Sequence, residues 1–166
     1  MGLFDRFKKK KEEEIHVEYV SETIEEEQEE EENLLPEDFE TTISFGGLEN
    51  GKEIVDRLDF DLDHGYYRHN EEPENIYRIS MIFGYNLLIS TPGNKKLTND
   101  FDDIDSEDIL ENVFISVSGR DNFSPYPLTA TFFDPYLSSK EIDPNEALEK
   151  AKEFVEFLEE RGIQKI

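Results

Sequence analysis

Cysteine is absent from this chain of 166 residues, and so is tryptophan. Without cysteine the chain can form no disulfide, no thiolate metal site and no cysteine nucleophile, and such a composition suits a reducing compartment. No long apolar segment of the secretory type follows Met1, since Asp5 and a run of lysines come at once. We therefore expect a bacterial cytoplasmic protein.

Positive charge is also scarce, with 17 lysines and arginines against 42 acids and a net charge of −25. Nucleic-acid binding needs clustered basic residues, so the composition argues against it. The sequence also lacks the H-E-x-x-H, nucleophile-elbow and phosphate-loop motifs. We expect no cofactor, and a protein that binds rather than catalyses. The excess of acids suits a basic protein partner, a cation, or solubility alone.

The first 33 residues differ in composition from the rest. A low-complexity acidic tract occupies residues 12–32. Such a tract buries too little apolar area to offset the entropy of the chain, so we predict a disordered tail over 1–33 and a single domain over 34–166. As an alternative, an added edge strand would use three alternating residues of the tract: Ile15, Val17 and Tyr19.

Leu3, Phe4 and Phe7 lie among basic residues at the start of the chain. An apolar and basic opening before an acidic segment resembles the start of bacterial signal-recognition-particle receptors. The resemblance covers about a dozen residues. The opening itself predicts a short amphipathic foot for an acidic membrane or a partner groove, and with the membrane as its target the chain would be a peripheral adaptor held by residues 1–11. Since no G-x-x-x-x-G-K-[ST] loop follows, a GTPase of that kind is excluded. The neighbouring acids would oppose binding to anionic lipid.

Alternating apolar residues predict several strands. The longest apolar run, Ile76–Thr91, is the expected centre of the core, as either one bulged strand or a hairpin with Gly84 at the irregularity and a turn at Pro92–Gly93. Gly46–Gly47 and Asn50–Gly51 are expected to form turns. The other predicted strands cover 39–45, 58–62, 113–117 and 128–133, the last of which we take as the final strand.

The C-terminal segment predicts an amphipathic helix. Asp143 is a suitable N-cap, Pro144 fits the first helical position, and Gly162 ends the helix. Phe157 falls off the apolar stripe, which leaves it as a second contact surface or without a role. The stripe comprises Ala147, Leu148, Ala151, Phe154, Val155 and Leu158. Together these elements predict an α+β fold, with an antiparallel sheet of about five strands and the helix packed on one face.

A second acidic region, residues 97–111, holds seven acids and no base. Its second half, Ser106–Asn112, is expected to form one or two helical turns. We predict that this region binds a basic protein partner, as toxin-neutralising immunity proteins do by analogy, and its simpler alternative is a solvated acidic loop. Phe123 and Tyr126, in a stiff loop with two prolines, would add aromatic anchors. The acids concerned are Asp100, Asp102, Asp103, Asp105, Glu107 and Asp108.

Asp59, Asp61 and Asp63 have the D-x-D-x-D spacing of an EF-hand loop. The rest of that motif fails, because His64 replaces the required glycine and Asn70 replaces the glutamate at position twelve. The alternation instead predicts a strand with the three acids facing solvent. Their carboxylates give a rival function, a cation-dependent enzyme that uses these acids together with His64.

Overall fold

The computed structural model describes residues 34–105, 107–119, 128–136 and 142–166. These residues form nine strands and one α-helix. The elements in chain order are β1 (Ile43–Asn50), β2 (Glu53–Asp61), β3 (Tyr66–His69), β4 (Ile76–Arg78), β5 (Ile82–Ser90), β6 (Leu97–Thr98), β7 (Asn112–Gly119), β8 (Leu128–Phe133), α1 (Pro144–Glu159) and β9 (Gln164–Lys165).

The strands form two sheets. β1, β2, β3 and β4 are antiparallel neighbours in the first sheet. The second sheet has the order β6-β5-β7-β8, and the short β9 runs parallel to β5 at Gly84 and Tyr85. The α+β class and the packing of the C-terminal helix against the sheet are confirmed. Among the described residues, no helix combines the length and the apolar character needed to span a membrane.

The core joins both sheets to α1 through aromatic rings. Phe45 of β1 stacks on Phe154 of α1 at 4.5 Å between ring centroids, and Phe132 of β8 lies 6.1 Å from the same ring. Phe157, which the sequence placed off the apolar stripe, is buried and lies 5.0 Å from Phe60 of β2. The contact stripe of α1 is therefore wider than its apolar spacing indicated.

The central run does not form one strand or a hairpin. Residues 76–78 end the first sheet as β4, a short 3₁₀ turn covers Ile79–Met81, and β5 begins the second sheet at Ile82. The backbone N–H of Ile79 donates to the carbonyl of Gly65 at 2.9 Å and so fixes this crossing between sheets. The predicted irregularity at Gly84 is confirmed, because the register of β5 against β7 shifts between Ile82 and Gly84.

Gly46 and Gly47 lie inside β1 and form no turn, in contrast to our expectation. Both have positive φ angles, 74° and 101°, and Asp56 on the adjacent β2 also has a positive φ of 52°. Both strands contact β8, and a Cβ at Gly46 would lie 2.8 Å from the Cβ of Ala130. The turn predicted at Asn50–Gly51 is confirmed.

Two predictions are wrong: the helical turns within Ser106–Asn112, and β8 as the final strand. No helix forms within the described part of Ser106–Asn112, because Leu110 is buried in the core and the N–H of Glu111 donates to the carbonyl of Ser90. These tertiary contacts favour extended backbone over helix. β8 is not the final strand either, since β9 follows α1.

The helix begins and ends where the sequence indicated. The Asp143 side chain accepts from the N–H of Asn145 at 2.9 Å, and Pro144 is the first helical residue. At the other end, Gly162 has a φ of 74° and the N–H of Ile163 donates to the carbonyl of Leu158. This is a Schellman closure, which needs glycine at the left-handed position.

The close approach of Gly46 to β8 gives a prediction about stability. In Gly46→Ala the new Cβ combines a positive φ with contacts under 3 Å to Ala130 and to the Asp56 carbonyl, so we expect the free energy of unfolding to fall by about 2–4 kcal/mol. The matched control is Gly51→Ala, which has a φ of 65° and nothing within 4 Å of the new Cβ. It should lose only about 1 kcal/mol. Equal losses in urea unfolding would contradict the packing argument.

Candidate functional site

The acidic loop, residues 97–111, rests on a packed base. Its first residues form β6, where Leu97 pairs with Ser90 and Thr98 pairs with Ile89 of β5. Phe101 and Ile104 are partly buried against the core, and Leu110 is 2% exposed. The loop is therefore anchored at its start, middle and end, and it presents its carboxylates from a fixed platform.

Three of the predicted acids are used within the loop. The Asp100 side chain accepts from the N–H of Asp102 at 3.1 Å and caps a short 3₁₀ turn at Phe101–Asp103. Asp103 accepts from the Thr98 hydroxyl at 2.7 Å. Asp108 accepts from the N–H of Asp105 at 3.1 Å and lies 3.5 Å from the ammonium of Lys96. These carboxylates stabilise the shape of the loop.

The other three predicted acids point to solvent. Asp102, Asp105 and Glu107 are exposed, and their side chains have no hydrogen bond or ion pair to any residue that the structure describes. Two large apolar side chains of the same loop are also exposed, Leu97 at 62% and Ile109 at 71%. Fixed negative charge and exposed apolar area therefore occur on one loop.

Lysines lie at the edges of this loop and offset part of its charge. The Lys165 ammonium donates to the carbonyl of Asn99 at 3.1 Å, and the Lys152 ammonium lies 5.9 Å from the ring centroid of Phe101. Lys152 belongs to α1 and Lys165 to β9, so these contacts tie the loop to both elements, and Lys96, directly before β6, pairs with Asp108. Of the six predicted acids, Asp108 is the one with a cationic partner among the described residues, and Asp102, Asp105 and Glu107 are the ones whose side chains have no partner there.

Several predicted site residues cannot be placed. Phe123 and Tyr126, and the membrane residues Leu3, Phe4 and Phe7, lie outside the described residues. An aromatic residue that the sequence did not single out as an anchor, Tyr136, is 81% exposed, and its hydroxyl lies 3.4 Å from the Glu111 carboxylate at the end of the loop.

Asp59 does not face solvent as predicted. It is 2% exposed, and its Oδ1 accepts from the Ser44 hydroxyl and from the Arg57 Nε, each at 2.7 Å. The other oxygen, Oδ2, accepts from the second Arg57 nitrogen at 3.1 Å. A fork of this kind satisfies both carboxylate oxygens. The alternation therefore predicted correctly that Asp59 points away from Leu58 and Phe60, but Ser44 and Arg57 cover its side chain.

Asp61 is fully buried, also in contrast to the prediction. Its side chain accepts from the N–H groups of Glu40 and His64 at 3.0 and 3.1 Å, and the His64 Nδ1 donates to it at 2.8 Å. Burial alone would raise the pKa of Asp61, but these hydrogen bonds outweigh it and hold that pKa below its ordinary value. The hydrogen bond between His64 Nδ1 and Asp61 raises the pKa of His64. The pair closes the turn after β2.

The three aspartates therefore do not form a common cation site in this geometry. Asp59 is occupied by Arg57 and Ser44, Asp61 by His64 and two backbone amides, and Asp63 is exposed beyond the end of β2. A divalent cation would have to displace these donors before it could bind the buried carboxylates. The buried pairs serve as connections between strands and turns.

Sequence reasoning missed a cluster of Asp56, His69 and Glu71. The Nε2 of His69 lies 3.8 Å from an oxygen of each carboxylate, and the Thr131 hydroxyl donates to Asp56 at 2.8 Å. Contact with Asp56 raises the pKa of His69, and the reciprocal contact lowers the pKa of Asp56. Because the His69 Nδ1 accepts from the N–H of Glu71, its proton belongs on Nε2, where it faces both carboxylates. The geometry favours an ion pair over a metal ion.

Comparison with known proteins leaves the function to the geometry alone. No family model, curated protein or solved structure matches the chain.

The Asp61–His64 pair gives a prediction about pH. A histidine whose folded pKa is raised adds stability that is fully present below its unfolded pKa, 6.5, and is lost as the pH rises through the folded value. The lowered pKa of Asp61 adds stability above 3.8 that is lost as the pH falls through its folded value. His64→Gln should therefore be less stable than the wild type between pH 3.8 and pH 6.5, and the difference in the free energy of unfolding should shrink at alkaline pH. Denaturant unfolding at several pH values measures it, and a pH-independent difference would contradict it.

Proposed function

We propose that the chain is a non-enzymatic bacterial cytoplasmic protein that binds a basic protein partner through the acidic loop. The observation that carries the proposal is the combination on one anchored loop of three exposed acids without partners among the described residues, Asp102, Asp105 and Glu107, with exposed Leu97 and Ile109. A toxin-neutralising immunity protein is an example of this class by analogy. The proposal needs no catalytic residue and no cofactor.

The two kinds of residue would serve different purposes in such a complex. Exposed charges at the edge of an interface steer encounter and determine how steeply association depends on salt. Apolar side chains that become buried supply more of the affinity, since central anchors dominate interfaces. Leu97 and Ile109 would be the anchors, and Tyr136 would extend the contact from the end of the loop. A basic partner with an apolar patch fits this surface.

The anchored base of the loop also favours binding. Asp100, Asp103 and Asp108 hold the loop by hydrogen bonds, so little conformational entropy is lost when a partner binds. The rival, a cation-dependent enzyme at Asp59, Asp61 and Asp63, finds no support in the geometry because donors from the chain already occupy the two buried carboxylates. The membrane adaptor depends on residues 1–11, which lie outside the described part.

The test separates the loop from general acidity. Proteins recovered with the wild-type chain from bacterial extract are purified, and their binding is measured with two triple variants. Asp102→Asn/Asp105→Asn/Glu107→Gln removes the free charges but keeps the loop hydrogen bonds. Glu53→Gln/Glu74→Gln/Glu160→Gln removes equal charge from exposed residues elsewhere. We expect a basic partner whose Kd rises about tenfold with the first variant and less than about twofold with the second.

The salt dependence of the affinity and substitution of the apolar residues Leu97 and Ile109 test the same complex independently. Affinity should fall steeply between about 50 and 300 mM salt, as screening of exposed charges requires, and Leu97→Ser/Ile109→Ser should weaken binding without changing that salt dependence. Recovery of no basic partner, equal effects of the two triple variants, or binding indifferent to salt would each refute the proposal.

A further inference from the structure

The tip of the β1–β2 hairpin carries a chemically labile pair of residues. Asn50 ends β1, Gly51 and Lys52 form the loop, and Glu53 begins β2 opposite Asn50. Gly51 has a φ of 65°, whereas Lys52 has no positive φ, and this pattern is typical of a type II′ turn with glycine at its first central position. Residues 50–54 are all exposed, so the peptide bond between Asn50 and Gly51 lies in contact with solvent.

Asn50 is the one asparagine of the sequence that a glycine follows, and every other asparagine precedes a residue with a side chain. Asparagine is a thermolabile residue. Its lability arises because the backbone nitrogen of the next residue can attack the side-chain amide carbon, Cγ, and expel ammonia. A glycine at the next position hinders that attack least, since it has no Cβ. The sequence therefore makes Asn50 the most reactive amide of the chain.

Both reacting groups at this position are accessible in the folded chain. The side-chain amide of Asn50 has no hydrogen bond to any residue that the structure describes, and the N–H of Gly51 has no acceptor in that part of the chain either. Nothing lies within 4 Å of the position that a Cβ of Gly51 would occupy. Water and hydroxide can therefore reach the attacking N–H, and neither reacting group has to give up a hydrogen bond first.

Asn70, directly after β3, is the opposite case. Its Oδ1 accepts from the N–H of Arg57 at 2.9 Å, and its Nδ2 donates to the carbonyl of Ile54. The nitrogen that would attack it, the N–H of Glu71, donates to the Nδ1 of His69 at 3.3 Å. Reaction at Asn70 would break all of these hydrogen bonds, so this residue serves as an internal control.

Attack also requires Asn50 to leave its extended backbone conformation, because the next nitrogen must approach Cγ. Asn70 holds the base of the hairpin through its hydrogen bonds to Ile54 and Arg57. The opening that the reaction needs is therefore confined to the loop and to the pairing of Asn50 with Glu53. Exposed tips with few buried apolar contacts open at a low cost in free energy.

We propose that Asn50 deamidates before any other asparagine of this chain and yields a mixture of isoaspartate and aspartate. The nitrogen of Gly51 loses its proton to hydroxide and attacks Cγ of Asn50. The new N–Cγ bond closes a succinimide ring, and the Cγ–Nδ2 bond breaks as Nδ2 takes a proton from water and leaves as ammonia, which regenerates the hydroxide. Water then opens the ring at either carbonyl. The sum consumes one water and releases one ammonia, without oxidation or reduction.

The products change the hairpin in two ways. Opening of the ring at the backbone carbonyl gives isoaspartate, in which a methylene group is added to the main chain, and opening at Cγ gives aspartate. Either product places a new carboxylate next to Glu49 and opposite Glu53, and like charges across a pair of strands destabilise it. This site is separate from the acidic loop in the sequence, so the two proposals can fail independently.

The test is incubation of the full chain in H₂¹⁸O at mildly alkaline pH, followed by proteolysis and peptide mass spectrometry. Opening of the ring incorporates ¹⁸O, which distinguishes conversion during the incubation from earlier conversion. A synthetic peptide of residues 47–54, incubated in parallel, measures the reaction without the fold. We expect label at Asn50 before any other asparagine, as two product isomers that chromatography separates, and no label at Asn70 at that stage.

Gly51→Ala tests the attack itself. Its methyl group hinders the attacking nitrogen, so conversion of Asn50 should slow at least about fivefold. The matched control is Gly93→Ala, the same substitution at an exposed glycine that does not follow asparagine and that also has a positive φ, 69°, and nothing within 4 Å. It should change the rate less than about twofold, because it leaves the attacking nitrogen unhindered.

Hydrogen exchange then tests the consequence for the hairpin. The purified isoaspartate form should exchange the amides of residues 49–54 at least about threefold faster than Asn50→Asp, which carries the same charge without the added methylene. Four results would overturn the proposal: earlier conversion of another asparagine, an unlabelled Asn50 after several half-lives of the peptide reaction, equal rates in the two alanine variants, or equal exchange in the isoaspartate form and Asn50→Asp.

Discussion

The stacking of Phe45 on Phe154 is the contact on which the rest of the described structure depends. Phe45 belongs to the first sheet, Phe154 belongs to α1, and Phe132 of the second sheet lies against the same helical ring. Phe60 and Phe157 extend the cluster, so one group of rings joins the three layers. Offset and edge-to-face pairs add to the burial of so much apolar area. Only 36% of the residues are hydrophobic, and the ring cluster concentrates their contacts at the centre of the fold.

The chain also uses part of its excess acid inside the fold. Asp59 is held by Arg57 and Ser44, and Asp61 by His64 and two backbone amides. A buried carboxylate costs several kcal/mol in desolvation unless such partners satisfy it. Arg57 and His64 are local partners, whereas Ser44 of β1 and the N–H of Glu40 come from another segment and so connect β2 to the chain that precedes it. Loss of one partner would therefore destabilise the fold more than the pair stabilises it.

The remaining acids of the described chain have two roles. Within the acidic loop, the carboxylates divide into those that hold the loop and those that face solvent. Exposed charges are screened beyond about 8–10 Å at physiological ionic strength. Screening therefore confines the field of each exposed carboxylate to its own surroundings.

Local signals in the sequence determined the strands at 113–117 and 128–133 and both ends of α1, because alternation, an N-cap and a glycine stop act over a few neighbouring residues. The tertiary structure decided what lies on each side of those elements. Asp59 follows the alternation of β2, yet Arg57 and Ser44 cover it. Phe157 leaves the stripe of α1, yet Phe60 of the first sheet packs against it. The loop before β7 is extended because Leu110 is buried. These outcomes depend on residues far apart in the chain, and no local pattern encodes them.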